Sequence, residues 1–198
     1  LNRRSIERLG VESNQAKGQH AATINGQLFL TGGYLQMYDG MSVVESGFLL
    51  YPEVKSAAAS NGTGSLTNLG VYQAVFVFEW VDGNGKLHRS SPSSVFSKTM
   101  GVADDTITWT VWALRLTMRA SSTTHVPYAR RDVNIVCYRT AASGTVFYRA
   151  GSFLNSNNNT IAFTDTISDA ALISNEILYT TGGVLSLIDQ GACSAISA

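Results

Sequence analysis

Residues 70–94, GVYQAVFVFEWVDGNGKLHRSSPSS, constrain the fold more than any other stretch of the chain. Tyr72, Ala74, Phe76, Phe78 and Trp80 form an unbroken apolar and largely aromatic row at every second position, while Gln73 and Glu79 sit among valines at the alternate ones. Side chains two residues apart share one face of a strand, so this period sets an aromatic row against a core. Asp82-Gly83-Asn84-Gly85 reads as a tight turn, a return strand follows, and Ser91-Pro92 reads as its stop, because proline cannot donate to a ladder. The predicted unit is the hairpin of a β-sandwich.

Composition agrees. Only 14% of the 198 residues are charged, against roughly 25% in an average soluble domain. With 14 basic and 14 acidic residues the net charge is near zero, which excludes the basic footprint of a protein that grips nucleic acid or an anionic membrane. Arg3, Arg4 and Arg8 are interrupted by Glu7 and read as solvated surface. Two cysteines, Cys137 and Cys193, do not make a disulfide framework. No apolar run approaches the roughly 18 residues of a membrane span. The opening Leu-Asn-Arg-Arg and the closing GACSAISA read as the ends of a piece of a longer protein.

The chain divides into four stretches. Residues 1–50 hold an N-terminal arm and a meander, because Asn25-Gly26, Gly32-Gly33 and Asp39-Gly40 punctuate short apolar runs at 28–30, 34–37 and 41–44. Such spacing suits either part of a propeller blade or a plain three-stranded meander. Residues 51–69, rich in Ala, Ser and Gly, read as a linker or surface loop. Residues 70–180 form the sandwich, with further strands at 105–118, 132–140, 145–153 and 160–166 and a short helical turn within 168–176. In the run at 105–118 the apolar set swaps faces beyond Trp112, so a bulge or strand end is expected near 111–113. Phe76, Phe78, Trp109, Ile135 and Phe147 are the predicted core. Residues 181–198 complete the chain.

A search for chemistry finds no catalytic residue, metal ligand or cofactor site to nominate. His20, His88 and His125 lie far apart in polar settings outside any ligand spacing, and read as surface histidines. Asp104 and Asp105 are adjacent, so on a strand they face opposite sides and read as caps rather than a catalytic pair. Asp82 to Lys86 imitates the opening of a calcium loop, but Ser93 stands where the bidentate Glu would be required. Gly62-Thr63-Gly64 lacks the Lys-Ser/Thr ending of a phosphate loop. Asn61 and Asn158 head glycosylation triplets that read as ordinary turns. Trp80, Trp109 and Trp112 fall in alternating patterns whose default is burial.

YQAVFVFEWVDGNGKLHRSSPSS resembles the last hairpin of a fibronectin type III sandwich, and DVNIVCYRTAASGTVFYRAGSF with TIAFTDTISD resembles the middle strands of that family in permuted order. The fold expected is therefore all-β: an Ig/fibronectin III-like β-sandwich plus a short antiparallel meander resembling part of a β-propeller blade. Taken with QLFLTGGYLQMYDG, VESGFLLYPE, DTISDAAL and ILYTTGGVLSLID, the order of phrases resembles tailed-bacteriophage tail structural proteins of the nozzle or tail-tube class. That resemblance implies a non-catalytic virion subunit, assembled in the host cytoplasm. It would form a homo-oligomeric ring, hexameric in the family's manner, docked on adaptor or portal-side proteins. DNA would pass through without specific binding, no membrane would be involved, and residues 181–198 would return the chain toward a further blade. The alternative class is a carbohydrate-binding or adhesive sandwich that presents Trp or Tyr on its surface.

Overall fold

The computed structural model describes residues 20–24, 27–31, 35–38, 43–115, 117, 133–156 and 158–178. The fold is all-β. Four short strands, β1 (Ala21–Ile24), β2 (Gln27–Leu30), β3 (Gln36–Tyr38) and β4 (Val43–Glu45), make an antiparallel meander in sequence order. The dipeptides Asn25-Gly26, Gly32-Gly33 and Asp39-Gly40 lie wholly or partly outside the described residues, as do the segments 1–19 and 179–198.

Eight strands build the sandwich. One sheet has the order β11 (Tyr148–Leu154), β10 (Asn134–Arg139), β6 (Val71–Val81), β7 (Leu87–Arg89), with β8 (Phe96–Thr99) also on β6; the other has the order β12 (Thr160–Asp165), β9 (Thr106–Trp112), β5 (Val54–Ser60). All pairings are antiparallel. If β6 and β7 stand for the terminal hairpin F–G and β10 for C, the larger sheet follows the C-F-G order of immunoglobulin-type sandwiches. The smaller then follows A-B-E. The permutation differs from the sequence reading in one respect: the F–G hairpin follows the A-position strand β5 and precedes the B-position strand β9.

The alternation that predicts β6 also predicts its burial. Tyr72, Ala74, Phe76, Phe78 and Trp80 are all buried and meet Ile107, Trp109 and Val111 of β9 in one core. Phe76 and Phe96 each stand edge-on to Trp109, with ring centroids 6.1 and 6.4 Å away. The meander adds to this core through the cross-strand row Phe29, Met37, Val44 and through Phe48.

The return strand β7 ends just before Ser91-Pro92, as expected. Beyond it the chain resumes on the same edge of β6 as β8. Where the ladder is interrupted, the buried Ser90 and Ser93 hydroxyls accept from the Phe78 and Phe76 amides at 2.9 and 3.0 Å, and their own amides donate back to the carbonyls of the same two residues. Hydroxyls thus supply acceptors to two β6 amides where the ladder is interrupted.

The stretch 51–69 is not a linker throughout, since Val54–Ser60 pairs with β9 along its length. Its composition misleads because an edge strand needs little apolar surface: Ala57 and Ala59 reach the core, and Lys55, Ser56, Ala58 and Ser60 face solvent. Gly64 is required there, because a Cβ would lie 2.0 Å from the Asp105 carbonyl oxygen. Strand β9 ends at Trp112, and beyond it the buried Asn155 side chain clamps Leu114, accepting from its amide and donating to its carbonyl. Phe147 departs from expectation. It is half-buried in a second cluster, with Val75, Val77, Val136 and Tyr138 on the other face of the larger sheet. The helical turn is α1 (Asp169–Leu172), capped by the Ser168 hydroxyl.

Candidate functional site

Many of the charged side chains are consumed by internal contacts. The Asp82 carboxylate closes the β6–β7 turn: Oδ1 accepts from the amides of Asn84 and Lys86 at 2.9 and 2.8 Å, while Gly85 takes the positive φ of 83° that the turn needs. Oδ2 faces His88 Nε2 at 2.9 Å and accepts from Gln27 Nε2 at 3.1 Å, which fastens the meander to the hairpin. Burial alone would push the Asp82 carboxyl up; His88 and the two amides outweigh it and hold the group below its ordinary value. His88 is therefore not a surface histidine. It is buried between Asp82 and the Trp80 ring, 5.3 Å from ring to ring, a setting that only the hairpin register creates. His20 is exposed as read, and His125 lies outside the described residues.

A second cluster surrounds Arg139. Its Nε lies 2.5 Å from Asp165 Oδ2, its Nη1 donates to Asp169 and the Thr140 carbonyl, and its Nη2 donates to the Ile167 carbonyl. The guanidinium also covers the Tyr72 ring, 4.7 Å from its centroid. A third lies across the larger sheet: Glu79 pairs with Arg89 and Arg149, and Glu176 pairs with the same two arginines. Buried Tyr138 sits among these four, its phenol pushed up to about 12 chiefly by burial. Glu176 belongs to a strap along β11, held by the Tyr148–Ile177 bridge and by Leu178 donating to the Phe147 carbonyl. This strap explains why the odd-numbered face of β6 is buried too.

These groups are geometrically committed: each is neutralised by a partner from another strand or loop. Asp104 and Asp105 accept from the amides of the loop residues Gly101 and Gly62. Cys137 is free and fully buried, its thiol pushed well up by desolvation; Cys193 lies outside the described residues. Among the described residues, no three His, Cys, Asp or Glu side chains gather as metal ligands would, and no helix is long and apolar enough to cross a membrane.

The described residues form a concavity with mixed chemistry. A groove of about 220 Å³ opens where the edge strands β5 and β8 approach, lined by Tyr51, Glu53, Val54, Ser94, Val95 and Phe96. Beside it stands Trp112, whose amide donates to the Glu53 carbonyl at 2.9 Å. Trp80 and Trp109 are buried as expected, but Trp112 is 44% exposed, because it is the last residue of β9 and lies on the outward face of the smaller sheet. Lys55 Nζ rests over its ring, 5.1 Å from the centroid. The strand pattern alone could not reveal this, since alternation distinguishes two faces without saying which one is covered. Comparison with known protein families, with characterised proteins and with solved structures returns no match.

Proposed function

We propose that the chain is a non-catalytic structural subunit of a tailed-bacteriophage tail, of the nozzle or tail-tube class. The observation that carries this reading is the pairing of a four-stranded antiparallel meander with a permuted sandwich, in the order in which the sequence phrases resemble that class. Four antiparallel strands are what one propeller blade requires. Internal commitment of charge supports the same reading. Glu79, Asp82, Arg89, Arg139, Arg149, Asp165 and Glu176 hold strands together, and a near-neutral wall does not retain DNA that must slide past it. In this role the chain meets copies of itself in a ring, hexameric by the family's habit, and docks on adaptor or portal-side proteins.

Mass spectrometry of purified particles from a lysate carrying the gene tests the proposal. Peptides of this chain should be recovered at several copies per particle, in proportion to other tail proteins. Recovery only in the particle-free supernatant would overturn it.

A further inference from the structure

We propose that the groove beside Trp112 binds a single pyranose ring of a glycan. Elsewhere on the sandwich the charged clusters described above are closed by internal pairs. At this end Tyr51, Glu53 and Ser94 line a concavity, and the Trp112 ring with Lys55 over it stands beside Glu53 on the neighbouring strand. Trp112 is 44% and Tyr51 39% exposed, Glu53, Lys55 and Ser94 are exposed, and Val54, Val95 and Phe96 supply an apolar wall.

Pyranose chemistry fits this set. A sugar ring presents an apolar C–H face that lies against an aromatic ring, and a rim of hydroxyls that donate to a carboxylate and accept from an ammonium or hydroxyl group. Tyr51 and Trp112 would supply the platforms, Glu53 would accept, and Lys55 and Ser94 would donate. The volume is below the roughly 300–1,000 Å³ of sites for drug-sized ligands, which limits the occupant to one ring with the rest of the glycan running out over the surface. Lys55 lies over the indole, and its flexible, exposed chain would let the ammonium swing onto a sugar hydroxyl. The proposal does not depend on the tail reading, since a sugar site suits a structural subunit and a free adhesive module alike.

Saturation-transfer NMR on the full chain tests it, using methyl β-glucopyranoside, methyl β-galactopyranoside, methyl α-mannopyranoside and N-acetylglucosamine as probes. At least one should receive saturation at its ring C–H protons. Trp112→Ala and Tyr51→Ala should each weaken that probe's binding by about tenfold, the loss of one aromatic platform, with Trp112→Phe retaining most of it. Both side chains are exposed, so an unchanged thermal midpoint certifies the fold of each variant. No transfer to any of the four probes, or transfer unaltered in both alanine variants, would overturn the proposal. So would self-association of the wild-type chain that the same substitutions abolish, because the patch would then be a protein interface.

Discussion

Arg139 on β10 and Asp165 on β12 join the two sheets from inside the sandwich, Nε to Oδ2 at 2.5 Å, with both side chains withdrawn from solvent. Burial pushes the Asp165 carboxyl up against the opposing pull of Arg139. Removing Asp165 leaves the buried guanidinium with the more exposed Asp169 as its remaining carboxylate partner. Asp165→Ala should cost about 3–5 kcal/mol in urea unfolding, and Arg139→Met together with Asp165→Leu should cost less than Asp165→Ala alone. A double variant worse than the single one would mean that the pair adds net stability beyond its desolvation.

Phe78 links the meander to the sandwich, its ring 5.9 Å from that of Phe48. Both are buried, and Phe78→Ala should destabilise by about 3–5 kcal/mol. The unfolding midpoint reads the result, and no change would place the wrong face of β6 in the core.

Trp109 and Trp112 lie three residues apart on one strand with opposite fates. Trp109→Ala should cost about 3–5 kcal/mol. For Trp112→Ala the loss should stay below about 1 kcal/mol, the Lys55 contact being the main thing removed. Equal losses at the two positions would contradict the assignment of faces.

How much of this could be read in the sequence depended on whether a residue's environment is local. The even row of β6, the Asp82–Gly85 turn, β12 and the Ser168 cap are encoded within a few residues of themselves. Burial of His88 needs the hairpin register plus Gln27 from the meander, exposure of Trp112 needs to be known from what β9 faces, and the strand at 54–60 exists because β9 accepts it as an edge. Alternation places Phe147 in the main core because it cannot foresee the strap at 174–178, which adds a second apolar layer on the far side of the sheet. The groove was invisible for the same reason: its walls come from residues 51–54 and 94–96, about forty positions apart.

Acid should loosen the contacts made by Asp82 and Glu176. For Glu176, burial pushes the carboxyl up and the two arginines more than reverse this, so both groups have folded pKa values below their ordinary ones. A depressed carboxyl contributes its stability above the ordinary range and loses it as pH falls through the folded value. The gap in stability between wild type and Asp82→Asn should therefore be full at neutral pH and shrink below about pH 4, and likewise for Glu176→Gln. Taking the difference removes Asp165, whose raised carboxyl acts with the opposite sign. A gap constant from neutral pH to pH 2 would contradict the assignment.

Immunogold labelling of intact particles, with antibodies raised against the sandwich at residues 54–178, tests the tail assignment most directly. Gold should decorate the tail, clustered at one level of its axis as a ring of subunits would place it. Labelling confined to the host cell surface, or absent from the tail of every particle, would contradict it.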